Sequence, residues 1–375
     1  MAHVFAFNTA IQIAWWTGFS FAMISLLCLF TMLVLRSMAT SASLRREKVS
    51  NDVEEFLFRA TEFPVRPVTA TADDLPVLSG EDDVACFLQE WNYLQESLAG
   101  EAKAGLNELI RELGLFDGVL KMLRGQRLDR RLLAINTLGN LRGPGSYEVL
   151  RPYADDPDPV VSSWAWRAVM RLGCETCFTA DLRMIAERKD WSPIFVADVL
   201  KEKDADDLSI PLASLVGEYY DARLEERQMS RLISYLAFTH VADHEGLVEK
   251  IVNESGEKEV LIACLRLLHD EGSLPRIREL AHDDRWEVRL QAVLTLGRFG
   301  HMDDIPILIE ALNDTDWWVR YRAASTLVQM PSVTTARVKE LTTTLPNEFA
   351  RDILMQVEAE MELLCLKPSS LALSK

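Results

Sequence analysis

One pattern is written twice near the C-terminal end of this chain, and it restricts the possible folds more than any other feature. Asp283, Trp286, Val288, Arg289, Ala292 and Leu296 recur as Asp314, Trp317, Val319, Arg320, Ala323 and Leu327, each 31 residues on, and Pro275 recurs as Pro306. A fixed period of this length is the trace of stacked helical repeats, in which no unit buries its apolar face alone. Each unit reads as two helices. Ile305, Leu308, Ile309 and Leu312 form an apolar stripe at helical spacing, with Asp303 or Asp304 placed as a cap and Pro306 in the first turn, where a missing N–H costs little. The second helix starts at an acidic corner and runs through Val319, Ala323 and Leu327, the alanine allowing neighbouring helices to approach closely.

The Asp-x-x-Trp-x-Val-Arg-x-x-Ala-x-x-x-Leu signature resembles HEAT repeats, in particular the short HEAT-like type named after phycobilisome lyases, specifically over residues 275–330. The resemblance implies an all-α, HEAT/armadillo-like α-solenoid that offers a binding surface. It also implies an arginine that bonds an acid of an adjoining repeat, which makes Arg289 and Arg320 candidates for a ladder with Asp283, Asp284 and Asp314.

Weaker copies extend towards the N-terminus. Residues 106–114, 130–141 and 160–173 each resemble a second helix, and Arg131 and Ala134 keep the Arg-x-x-Ala spacing. The corner at 155–159 restates the acidic cap with proline, and Asp190 with Trp191 restores the tryptophan. Between 204 and 230 no corner is clear. Equating Ala134 with Ala323 over six intervals gives a mean period of about 31.5 residues, hence about eight repeats within 84–366. The last helix, with Phe349, Ile353, Val357, Met361 and Leu364 on one side and Arg351, Glu358 and Glu362 elsewhere, reads as a polar cap, and 367–375 as a tail.

Ahead of the repeats, Met1 to Leu35 carries no Asp, Glu, Lys or Arg, and its apolar run at 11–35 exceeds the roughly 20 residues that cross a bilayer. This predicts one transmembrane helix. A cleaved signal peptide would need the basic n-region that is absent here; cleavage near Ala39 is the alternative. Arg36, Arg45, Arg46 and Lys48 all follow the span and only His3 precedes it, which predicts an outside N-terminus and a cytosolic solenoid in a single-pass protein of the inner membrane. Gly18 and Ala22 form a small-x-x-x-small pair able to pack on another membrane helix. Residues 36–83 read as a short amphipathic helix near the membrane surface, around Val53, Phe56, Leu57 and Phe58, and then a proline-containing extended tether over 63–76 that reaches about 40 Å.

The net charge of −17 argues against sequence-independent nucleic-acid binding, which needs clustered Lys and Arg. Of six cysteines only Cys174 and Cys177 form a C-x-x-C pair, without the second pair of a zinc site or the βαβ setting of a redox site, and a turn after Gly173 is the simpler reading. His240 and His244 are four apart but lack the glutamate of the zinc-protease motif, and Asp243 sits where a helix cap is expected; His269, His282 and His301 lie near repeat boundaries. No phosphate-binding glycine loop or nucleophile elbow is present, and no catalytic, cofactor or metal residue is assigned.

Trp191, Trp286 and Trp317 share one repeat position, which predicts packing between layers. Trp318, whose equivalent is Glu287, lies outside that register with Tyr321 and Arg322 on the same helix, a combination typical of interface hot spots; Trp164 and Trp166 are further partner-binding candidates. The expected function is a membrane-anchored cytosolic scaffold that docks protein partners, and membrane-anchored HEAT proteins of bacterial type suggest, by resemblance, a subunit of an envelope complex for polysaccharide synthesis or secretion. The enzyme alternative is a bilin lyase or isomerase, from the name of the repeat type.

Overall fold

In the computed structural model, residues 15–21, 23–37, 50–57, 78, 80–98, 100–174 and 176–366 are described. There is no strand among them, and they fall into two compact units that divide between Gly173 and Cys174.

The first unit contains helix α1, Trp15–Ser37, which is long and apolar enough to cross a membrane by length and composition and whose described side chains are exposed. Gly18 has open space around it; Ala22, its expected companion, lies outside the described residues, as do 38–49, the tether at 63–76 and the tail at 367–375. Residues 50–57 are helical as the pattern predicts, but Val53 and Leu57 are fully buried and Ser50 donates to Glu90 at 2.9 Å. Val53 and Leu57 of the apolar stripe are thus packed inside the unit, Phe56 is half-buried, and Phe58 lies outside the described residues.

Helices α2 (Glu81–Ser97), α3 (Glu101–Glu112), α4 (Phe116–Arg124), α5 (Leu128–Leu141), α6 (Ser146–Ala154) and α7 (Pro159–Leu172) follow. The pairs α4–α5 and α6–α7 are hairpins, and α2, α5 and α7 lie side by side. Asp158 caps α7 by accepting from the Val160 N–H at 2.8 Å, with Pro159 as first helical residue, and Gly173 ends the helix in the left-handed conformation. Both features follow the sequence signals for a helix start and stop. Gly139 makes the close α5–α7 approach possible: a Cβ there would stand 2.8 Å from the Ala168 Cβ.

The second unit comprises α8 (Phe178–Glu187), α9 (Pro193–Lys201), α10 (Ala205–Asp221), α11 (Glu226–Tyr235), α12 (Val241–Glu254), α13 (Lys258–Leu267), α14 (Leu274–Leu280), α15 (Trp286–Phe299), α16 (Ile305–Ala311), α17 (Trp317–Gln329), α18 (Thr335–Thr344) and α19 (Glu348–Leu366). Helices α12–α13, α14–α15, α16–α17 and α18–α19 pair as hairpins, and the second members α11, α13, α15, α17 and α19 stack side by side. Val288, Ala292 and Leu296 of α15 and Val319, Ala323 and Leu327 of α17 are completely buried, as the repeated signature requires. The described residues of each unit are thus all-α, and helical hairpins pack side by side within each.

Three expectations are corrected here. Asp304 precedes α16 but does not cap it; its carboxylate is fully buried and accepts from Arg278 Nε of α14 at 2.5 Å, so it links two layers instead. The residue at the start of α12 is His240, not Asp243, and its ring meets Asp206 at 2.7 Å while its N–H donates to Ser209 Oγ. In the last helix Ile353 and Val357 are buried with Ala350 and Leu354, and Asp352 and Gln356 are exposed, but Phe349, expected on the inward side, is exposed. Phe349 sits one residue before the buried Ala350, which turns it off the inward face.

Candidate functional site

The second helices begin at corners built to one plan. At the corner 314–317, Asp314 Oδ1 accepts from the Asp316 N–H at 2.7 Å, and Asp316 Oδ1 accepts from the Trp318 N–H at 2.8 Å, which caps α17. Arg289 of the preceding repeat donates from Nε and Nη2 to the two oxygens of Asp314 at 2.7 and 2.8 Å, and its Nη1 reaches the carbonyls of Asp283 and Asp284. This is a rung of the expected ladder, bidentate and mostly buried. Burial pushes the Asp314 carboxyl up, and the bonds from Arg289 and the Asp316 N–H more than reverse that, leaving it below the ordinary carboxylate value.

Arg320 behaves differently. Its Nη1 donates to the carbonyls of its own corner, Asp314 at 2.7 Å and Thr315 at 3.1 Å, and no carboxylate bonds it among the described residues. The reason lies one period on, where Leu345 occupies the place of Asp314. Arg351 still ties that corner through the carbonyls of Leu345 and Pro346, and Asn347 still caps the helix by accepting from the Phe349 N–H at 3.0 Å. Residues 345–351 are therefore a third copy of the corner, missed in the sequence because its acid and its tryptophan are replaced; the retained Arg351 and Asn347 were the available signal. Asp283, in turn, is held by Arg285 through Nε and Nη2 at 2.8 Å, which lowers its pKa, and the side chain of Asp284 is exposed. In the first unit Arg131 meets Asp156 at 2.6 Å with the same separation in sequence as Arg289 and Asp314.

With the corners pinned, the first residues of the helices are presented outward. Trp286 is 38% exposed, Trp317 43%, Trp318 52% and Phe349 74%. The expectation that Trp286 and Trp317 pack between layers is therefore overturned, and only Trp191, which precedes α9, is buried. Side chains of a helix lean towards its N-terminus, so residues of the first turn project past the end of the helix instead of into the layer beside it. Trp317 stacks on Tyr321 at 5.2 Å between ring centroids and meets Trp318 edge-on at 4.8 Å. The Tyr321 hydroxyl donates to Glu360 of α19 at 2.8 Å, and Arg322 is exposed beside it. Glu287, the counterpart of Trp318, is engaged by Lys258 of α13 at 3.0 Å.

Trp166 is fully buried in α7 and cannot line a docking surface; Trp164, two residues away, is half-buried in the same helix. Both belong to the first unit, whereas the edge is built from residues of the second. Cys174 and Cys177 lie in a turn closed by the Cys177 N–H on the Cys174 carbonyl, and among the described residues no group of three or more His, Cys, Asp or Glu side chains is placed to hold a metal ion. His244 is buried against Thr239, its Nδ1 2.9 Å from the hydroxyl.

Residues 247–354, from α12 into α19, match the family described as HEAT repeats. No curated protein matches the chain. Among solved structures, an engineered protein is 15% identical and aligns over 83% of this chain and 99% of its own, with a TM-score of 0.35. A structure concerning tubulin recruitment and assembly by microtubule polymerases with tumor overexpressed gene domain arrays is 8% identical and aligns over 81% of this chain and 96% of its own, with a TM-score of 0.30. At those scores neither carries an argument about this chain.

Proposed function

We propose that this protein is a membrane-anchored docking scaffold that holds a protein partner on the edge formed by Trp286, Trp317, Trp318 and Phe349. The observation that carries the reading is the exposure of four large aromatics within the first two positions of the consecutive second helices α15, α17 and α19, at corners with their own hydrogen bonds. Aromatic rings supply much contact area for little loss of side-chain freedom, and hot spots are rich in Trp, Tyr and Arg. Tyr321 and Arg322 extend the patch, with the Tyr321 ring already immobilised by Trp317 and Glu360. Helix α1 is read as the anchor, with the solenoid on the cytosolic side because Arg36, Arg45, Arg46 and Lys48 follow it. The partner is then a component of a membrane complex, of the kind that serves envelope polysaccharide synthesis or secretion.

The test places a photo-crosslinking residue at Phe349 in membranes of the native host and identifies the adduct by mass spectrometry. Trp318→Ala should weaken capture by about 1 kcal/mol or more, the order of an interface hot spot. A partner captured equally by the variant sinks the assignment of this edge. A reporter active only outside the cytoplasm, fused after Lys375, should be silent; activity there reverses the topology.

A further inference from the structure

The second unit carries another feature, away from the aromatic edge, where the repeat signature fades. A groove of about 490 Å³ lies between the α8–α9 corner, at Lys189 and Pro193, and the outward side of α11, at Arg227, Ser230, Arg231, Ser234 and Tyr235, with Glu225 at the rim. Lys189 and Glu225 satisfy each other at 2.7 Å. Arg227 and Arg231 add two guanidinium groups to this groove, on a chain whose net charge is −17, and Glu225, whose carboxylate bonds Lys189, also feels the charge of Arg227.

Arg231 is already fixed in place, because its Nη2 donates to the carbonyls of Ile185 at 2.7 Å and Arg188 at 3.1 Å, which closes the end of α8. Its Nε, however, is buried with no hydrogen-bond partner among the described residues, and so is the hydroxyl of Tyr235, a side chain almost wholly removed from solvent. Unpaired buried polar atoms are rare because each has lost its water without replacement. Other such atoms occur in the molecule, at Gln95, Arg130, Ser146, Arg167, Ser273, Asp304 and Glu358, but none of those residues lines this groove. Here two belong to residues that line one groove, and both are donors. Burial raises the Tyr235 phenol to about 12, so it keeps its proton at neutral pH.

We propose that this groove binds a phosphate monoester, with Arg227 and Arg231 supplying the charge and Arg231 Nε and the Tyr235 hydroxyl donating to its oxygens. A phosphate monoester carries close to two negative charges at neutral pH and three terminal acceptors, which matches two guanidiniums and a phenol better than a carboxylate does. The degenerate corner is the expected place for such a site, since local rules of a fold are broken where a function constrains the residues instead.

The test titrates the full-length protein, in an uncharged detergent and a phosphate-free buffer, with phenyl phosphate by isothermal titration calorimetry. One saturable site per chain is expected. Arg227→Ala should weaken it about tenfold or more, as for loss of a charge-assisted pair, and Tyr235→Phe about threefold or more, with the circular dichroism melt of both variants unchanged. Arg231 is left intact because it also closes α8. Benzoate, a carboxylate on the same ring, should bind about tenfold more weakly. Comparing O-phosphoserine with a short peptide that contains it assigns the source: tighter binding of the peptide indicates a phosphorylated partner, equal binding a free phosphate ester. Absence of saturable binding, binding unchanged in both variants, or benzoate binding as tightly as phenyl phosphate overturns the proposal.

Discussion

Two corners of the second unit, 314–320 and 225–231, do the same mechanical task with opposite wiring. At 314–320 the acid receives the arginine of the preceding repeat, Arg289, and the corner's own arginine, Arg320, returns to its own carbonyls. At 225–231 the arginine six residues after the acid, Arg231, reaches back across the preceding layer to the end of α8, and Glu226 reaches forward to accept from the Glu259 N–H of α13 at 2.7 Å. The first arrangement takes one arginine from the preceding repeat and leaves the residues of the helix start free to face outward. The second spends its side chains on the ends of neighbouring helices, and it leaves buried donors open. The repeat signature therefore reports one fixed link, an arginine to the acid of the next corner, and where it fades the links between layers run through side chains to the backbone of neighbouring helices.

The comparison is tested most strongly at Arg289. Arg289→Ala leaves a mostly buried Asp314 without its bidentate partner and should lower the unfolding free energy of the detergent-solubilised protein by about 2–4 kcal/mol. Arg320→Ala removes only bonds to backbone carbonyls and should cost about 1 kcal/mol. Equal midpoints for the two variants in chemical denaturation would show that the carboxylate is not what distinguishes these arginines.

Acid sharpens the same contrast. The folded Asp314 carboxyl lies below its unfolded value of about 3.9, so the stability it contributes is present above that pH and is lost as pH falls through the folded value. The gap between wild type and Arg289→Ala should therefore narrow below about pH 4. A gap that stays constant down to pH 2 breaks the ion-pair account.

A smaller effect is expected from His244. Burial, then the charge of His269, lowers its pKa, so the neutral ring is favoured in the folded state. Its contribution is present above about pH 6.5 and declines as pH falls through the depressed folded value. His244→Gln should flatten the pH dependence of the melting temperature over that window, and a steeper slope in the variant would contradict it. The smallest effect belongs to Trp318→Ala, which should change stability by less than about 0.5 kcal/mol because the ring is half exposed. A larger loss would place Trp318 in the structural set and not on the docking edge.

The sequence made the second helices, their buried Val-Ala-Leu stripe, the Asp158 cap and the Arg289–Asp314 rung legible, because each depends on residues at fixed local spacing. Exposure was less legible. Trp286 and Trp317 repeat like core residues, yet a helix-start position aims them past the layer, and only the helix boundary, set by the Arg285 and Asp316 positions, decides that. Trp166 and Trp164 differ by two positions and so by nearly a reversal of helix face, which no composition argument resolves. The corner at 345–351 escaped notice because Leu345 and Glu348 replace its two most visible residues, while its hydrogen bonds survive through Asn347 and Arg351.

That leucine has a consequence for how the molecule opens. Among the described residues no arginine–carboxylate pair crosses from α16–α17 to α18–α19, and the side-chain link between α17 and α19 is the Tyr321–Glu360 hydrogen bond over an apolar contact. Local unfolding proceeds in cooperative units drawn from the weakest junctions. In amide hydrogen exchange, α18 and α19 should therefore open together ahead of α16 and α17, detaching as one segment and exposing the far side of α17 while the rest of the stack remains closed.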